Sequence, residues 1–252
     1  MDKLADFIQH EIEFPGKIAR GEKGLRAQRV QEWLLLHDLK LVIDGDFGSA
    51  TDQGVRDFQT RTNLPVTGVV NEETWSVLVA PMVASLVVPA NLPVAYGGAV
   101  RAFARQLLVW HPREVGGQNR GPWVRLFMDG QDGDAWAWCA GFVRFVMRQA
   151  AEALDMDMPI EGHVGCDQFA QQAKAANLFI PEADVQAHHL AGGALFLNRK
   201  TETDWVHIGL VMSATDDVLR TLEGNTNDDG SREGYEVCLR TRGYANKDFI
   251  RL

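Results

Sequence analysis

The sequence predicts an α+β fold, and two observations lead to it. Helical periodicity fills the stretch from about residue 24 to residue 80 and returns between about 99 and 150, whereas alternating strand-like runs lie far downstream, at 206–212 and 218–223. Between the helical blocks, residues 81–96 are rich in Pro, Ala and Val, with Pro81, Pro89 and Pro93 and no clear period. Proline removes a backbone donor and pushes the preceding residue to extended geometry, so this stretch reads as a semi-rigid linker. The expected organisation is a helical extension over 1–20, a small three-helix module over 21–80, the linker over 81–96 and a larger domain over 97–252.

In the module, Leu25, Val30, Trp33, Leu34 and Leu35 give an amphipathic helix from about Gly24 to His37. The cluster Asp44-Gly45-Asp46-Phe47-Gly48 is a turn. Thr51 is the expected cap of a second helix carrying Val55, Phe58 and Gln59. After the turn Leu64-Pro65-Val66-Thr67-Gly68, Asn71 caps a third helix bearing Trp75 and Leu78. In the extension, Leu4, Phe7, Ile8 and Ile12 form an apolar stripe that stops near Pro15-Gly16.

The order Leu25…Val30-Gln31…Leu34, Ile43-Asp44-Gly45-Asp46-Phe47-Gly48, Phe58-Gln59, Leu64…Gly68-Val69-Val70 and Thr74-Trp75…Leu78 resembles the three-helix peptidoglycan-binding domain. The resemblance covers nearly all of the module and implies peptidoglycan as a partner.

Composition narrows the remaining classes. A hydrophobic share of 46% and a charged share of 23% are those of an ordinary globular chain. A net charge of −9 without any Lys/Arg cluster argues against nucleic acid, whose phosphates demand a basic footprint. No apolar run is long enough to span a bilayer, and residues 1–8 lack the basic and apolar segments of a secretory signal. Three cysteines are too few for a disulfide framework. Cys166 and Cys238 read as buried thiols, with a bond between them left open.

The larger domain offers a helix over about Ala99 to Trp110, a loop over 115–122, a helix near 123–128 and an acidic loop with Asp129, Asp132 and Asp134. The segment Trp136–Ala150 then carries a broad apolar stripe, with Cys139 at or near its first turn. Unpaired N–H groups and the positive dipole end there favour a thiolate and can hold an oxyanion. A thiol needs a base, and the base needs an orienting group. His207, in the strand-like run Val206–Met212, is the expected base, with Gly209 beside it leaving room for substrate. Glu223 and Asn225, two apart, can both face one side of a strand, and either could accept the imidazole N–H. Asn225 could equally be a turn residue. The acidic loop is expected to oppose ionisation of the thiol.

The strings Gly117…Asn119-Arg120-Gly121-Pro122, Trp138-Cys139-Ala140-Gly141-Phe142-Val143, His207-Ile208-Gly209-Leu210-Val211, Leu222-Glu223-Gly224-Asn225-Thr226 and Phe249-Ile250-Arg251 resemble CHAP domains, over about residues 97–252. These are cysteine- and histidine-dependent amidohydrolases or peptidases of peptidoglycan. The resemblance implies a papain-like fold, helices packed on an antiparallel sheet, with Cys139 as nucleophile, His207 as base, and Glu223 and Asn225 as the orienting pair. Gln131, Trp138, Asn119 and Arg120 are the candidates for oxyanion or substrate contacts. No cofactor and no metal ligand set is expected, and the chain is read as a monomer. The alternatives are a zinc amidase drawing on His163, Cys166, His188, His189 or His207, and a wall-binding protein without activity. An absent signal points to a phage lysin or a secreted effector acting on the cell wall, and otherwise to a cytoplasmic protein.

Overall fold

The structure, a computed structural model, describes residues 6–227 and 234–252. Leu4 of the expected N-terminal stripe lies outside the described residues. The helices are α1 (Asp6–Ile12), α2 (Leu25–Leu36), α3 (Ser49–Arg61), α4 (Glu72–Leu78), α5 (Ala80–Ser85), α6 (Tyr96–Val109), α7 (Pro122–Phe127), α8 (Cys139–Leu154) and α9 (Cys166–Ala175). The strands are β1 (Phe179–Ile180), β2 (Ala194–Thr201), β3 (Asp204–Ala214), β4 (Leu219–Thr226), β5 (Glu236–Arg242) and β6 (Lys247–Arg251). The α+β class is thus observed. The chain divides into two compact units, Met1–Ala84 with Arg113–Asp134, and Ser85–Pro112 with Ala135–Leu252.

In the first unit, α2, α3 and α4 bury Val30, Trp33, Leu34, Val55, Phe58, Trp75 and Leu78. Two buried glutamines hold the intervening turns. The Gln31 side chain accepts from the N–H groups of Asp44 and Gly45 at 3.1 and 2.8 Å, and donates to Asp44 Oδ1 at 2.7 Å. Gln59 does the same for the next turn, accepting from Thr67 and Gly68 at 2.9 and 3.0 Å and donating to the Val69 carbonyl at 2.9 Å. A buried amide thus satisfies backbone groups that a tight turn leaves without partners. Asn71 caps α4 through Thr74 N–H at 2.9 Å. Thr51 is not a cap: α3 starts two residues earlier behind Gly48, and the Thr51 hydroxyl instead binds Gln31.

The boundary expected at residue 97 differs from what is observed. Helix α6 begins at Tyr96, and α5 makes the end of the module and the start of the expected linker helical. More importantly, Arg113–Asp134 packs with the first unit. The anchor is Arg125 on α7, whose side chain is only 12% exposed. Its guanidinium donates to Glu11 at 2.6 Å, to Glu32 at 2.7 Å and to Asp132 at 2.9 Å. Trp123, two residues before Arg125 on the same helix, meets Trp33 edge-on with ring centroids 6.4 Å apart.

The second unit is built on a six-stranded sheet in the order β1-β6-β2-β3-β4-β5, every pair antiparallel. Helices α8 and α9 pack on β3, α8 also covers β4, and α6 lies along α8. On the sheet, Leu190, Ala194, Phe196, Val211, Leu219 and Phe249 form a second apolar cluster. The β2–β3 pairing shifts register after Asn198↔His207, so that Arg199 meets Trp205. An irregularity of this kind re-aims side chains at the end of a strand, and His207 stands at it.

Candidate active site

Cys139 is the first residue of α8, where the backbone N–H groups have no partner within the helix. Trp138, immediately before it, is fully buried. Strand β4 approaches this helix start closely because it carries Gly224. A Cβ there would lie 2.7 Å from Phe142 Cβ and 2.9 Å from Trp138 Cζ3, closer than real side chains come. Helix and strand thus bring Cys139 and Glu223 to one place in the unit.

His207 on β3 connects them. Its Nε2 donates to Glu223 Oε2 at 2.9 Å, which leaves the other ring nitrogen for Cys139, with which the ring is in hydrogen-bonding contact. The Glu223 side chain has no exposed surface. Arg242 on β5 grips it with two bonds, Nε to Oε1 at 2.9 Å and Nη2 to Oε2 at 2.6 Å, and the Thr221 hydroxyl also donates to Oε1. Such a forked pair fixes a carboxylate in plane as well as in charge. Gly209 does not leave room for substrate, as the sequence suggested. A Cβ there would stand 2.8 Å from Glu223 Cγ and 2.7 Å from Phe196 Cε1, so the glycine makes space for the carboxylate itself.

The electrostatics follow from this chain of contacts. The Cys139 thiol is held well below its usual pKa, chiefly by a hydrogen bond from the Cys166 thiol; the His207 ring and the Ile208 backbone N–H add to it, and together they outweigh burial. Burial opposes charge on His207, yet its bonds to Cys139 and Glu223 push the imidazole up to about 9. Burial would also raise Glu223, but Arg242 first and His207 next hold it down at about 2. In their charged forms, thiol, imidazole, carboxylate and guanidinium alternate in sign along this series, which is how charges survive burial. The acidic loop does not produce the opposition expected of it: the thiol is lowered, and Asp132 is bound to Arg125 in the first unit.

The other expected residues fall in different places. Asn225 is buried at a left-handed position, φ 53°, and its Oδ1 has no hydrogen-bond partner, while Glu223 takes the His207 ring. Trp138 is part of the packing described above, and its buried ring is closed to substrate. Asn119, Arg120 and Gln131 belong to the first unit. There Asn119 is buried and donates to the Asp134 carbonyl at 3.4 Å, Arg120 pairs with Asp134 at 3.8 Å, and Gln131 is exposed. Sequence reasoning missed Arg242 and the contact between Cys166 and Cys139. All three cysteines are free thiols. Among the described residues, no group of three His, Cys, Asp or Glu side chains is placed to hold a metal ion.

A buried thiol, imidazole and carboxylate thus stand in series in the second unit. Residues 24–78 match the family described as putative peptidoglycan binding domain, so the first unit carries a domain of that family. Two solved structures are similar to the chain. One is the SleB N-terminal domain, 31% identical, covering 27% of this chain and 93% of that one, with a TM-score of 0.26. The other is a fused Zn-dependent amidase/peptidase/peptidoglycan-binding domain-containing protein from Clostridium acetobutylicum ATCC 824. It is 14% identical, covers 91% of this chain and 62% of its own, with a TM-score of 0.25. The chain thus spans less than two thirds of that second protein, and TM-scores this low establish no shared fold. No curated protein matches the chain.

Proposed function

We propose that the protein is a peptidoglycan hydrolase that cleaves an amide bond of the stem peptide or cross-bridge through Cys139. The observation that carries this reading is the unbroken series Cys139–His207–Glu223, with the thiol at a helix start and lowered in pKa. The thiolate attacks the amide carbonyl carbon, and the carbonyl oxygen takes up the negative charge. The free N–H groups at the start of α8 are the donors on hand for that oxyanion. His207, as imidazolium, gives its proton to the departing amine, leaving an acyl-thioester on Cys139. The neutral imidazole then takes a proton from water, which attacks the thioester and restores the thiol–imidazole pair. Glu223 keeps the ring oriented and its charge compensated, and Arg242 keeps Glu223 ionised. Asn225 has no part in these proton transfers.

The domain at residues 24–78 would hold the enzyme on the polymer and raise the local concentration of scissile bonds. Site of action is therefore the cell wall. Among the described residues, no helix is long and apolar enough to cross a membrane. Defined muropeptides incubated with wild type and with Cys139→Ala, followed by mass spectrometry, test the proposal. Wild type should release fragments carrying one added water, and the cut amide names itself by the fragment masses. Equal release by Cys139→Ala would remove Cys139 from the reaction.

A further inference from the structure

Two thiols, not one, meet in the second unit. Cys139 is the first residue of α8 and Cys166 the first residue of α9, and both helices pack on β3. The two thiols are side-chain neighbours, each acting on the other. The start of α9 is pinned in place: the Asp167 carboxylate accepts from the Trp205 backbone N–H at 2.8 Å, two residues before His207. Cys166 is 9% exposed and Cys139 6%, so the pair is largely shielded from bulk solvent. Cys166 helps to lower the Cys139 thiol but takes no part in the bond-making steps of the hydrolysis proposed above.

We propose that Cys139 and Cys166 form a reversible disulfide under peroxide, a modification site that switches the enzyme off and protects its nucleophile. The Cys139 thiolate attacks hydrogen peroxide, forming a sulfur–oxygen bond and breaking the oxygen–oxygen bond. The departing hydroxide takes the His207 proton and leaves as water. Sulfur is oxidised to the sulfenic acid and the peroxide is reduced. The Cys166 sulfur then attacks the Cys139 sulfur, and its proton leaves with the sulfenic hydroxyl as a second water. Before oxidation, the Cys166 thiol is held protonated by its bond to anionic Cys139 and by burial. Loss of the Cys139 charge lifts that restraint, so the second step is released only by the first. A dithiol reverses the bond. Without a neighbour to intercept it, the sulfenic acid proceeds to the sulfinic acid, which a dithiol does not reverse.

The loss of activity on oxidation rests on the hydrolase reading above, but formation of the bond does not, and it is read without substrate. The full-length chain is treated with hydrogen peroxide, blocked, digested without reductant and mapped by mass spectrometry. A peptide pair joined through Cys139 and Cys166 should appear, vanish with dithiothreitol, and persist in Cys238→Ala. In Cys166→Ala, and in Cys166→Ser as a second variant, peroxide should convert Cys139 to the sulfinic acid. Muropeptide hydrolysis by wild type should fall at least tenfold with peroxide and return with dithiothreitol. In the two variants it should not return. No linked pair in wild type, or dithiothreitol recovery of Cys139 as a thiol in Cys166→Ser to the wild-type extent, overturns the proposal. Linkage without any hydrolysis would leave it standing and overturn the hydrolase instead.

Discussion

His207 Nε2 lies 2.9 Å from a Glu223 carboxylate whose side chain has no solvent-exposed surface. That carboxylate is in turn held by two bonds from Arg242. After the bond to Cys139, it is the charge on Glu223, not merely its shape, that raises the imidazole pKa. Glu223→Gln should therefore lower the His207 pKa from about 9 and raise that of Cys139, with Arg242 left unpaired. Turnover of a muropeptide should fall on the order of a hundredfold or more. Titration of the imidazole by NMR alongside the rate measurement checks both halves.

Gly209→Ala is the matching steric test. The added methyl would sit 2.8 Å from Glu223 Cγ and 2.7 Å from Phe196 Cε1, so one of them must move. A displacement of about 1 Å at an orienting group can cost about a hundredfold in rate. The expected signature is a fall in kcat with little change in KM, measured on the same substrate as wild type.

The thiolate–imidazolium pair fixes the pH dependence. Alkylation of Cys139 should be fast at neutral pH and slow only on acidification below its lowered pKa. His207→Ala should move that inflection upward, toward the ordinary thiol value of about 8.5. Hydrolysis needs the proton on His207 as well, so its rate should decline as pH rises through about 9. An iodoacetamide pH profile of both proteins, with Cys238 replaced, Cys166 retained and alkylation of Cys139 followed by peptide mapping, reads the first effect directly.

Glu223 also links pH to stability. Its folded pKa of about 2 lies below the ordinary value of about 4.3, so the folded state binds fewer protons. Its contribution is present above about pH 4.3 and is lost as pH falls toward 2. Urea unfolding of wild type should therefore weaken over that window more steeply than unfolding of Glu223→Gln.

In the first unit, Arg125→Met should destabilise by about 3 kcal/mol, because buried Glu32 is left with only its Gln28 hydrogen bond and buried Glu11 with only Arg29 at 3.5 Å. Adding Glu11→Gln and Glu32→Gln should restore much of the loss. Thermal unfolding of the three proteins decides it: equal Tm values for wild type and Arg125→Met would show the cluster to be inert.

Local pattern made much of this legible. The spacing of Val30, Trp33, Leu34, Val55 and Phe58 marks the module's helices, and alternation around His207 and Glu223 marks the strands on which they meet. What stayed hidden is what periodicity cannot carry. Arg125 reaches Glu11 across more than a hundred residues, so the first unit is discontinuous along the chain, and no local pattern reports that. Arg242 and Cys166 likewise sit on elements whose only tie to the site is tertiary. Gly209 was read as open space because a glycine in sequence does not say which neighbour fills it.

The central claim, a covalent acyl intermediate on Cys139, is tested most directly by rapid acid quench of the enzyme with a muropeptide, followed by intact mass and peptide mapping. The account predicts a transient adduct of the acyl fragment's mass on Cys139, absent in Cys139→Ala. Continued muropeptide turnover by Cys139→Ala at the wild-type rate, with no adduct in either protein, would contradict it.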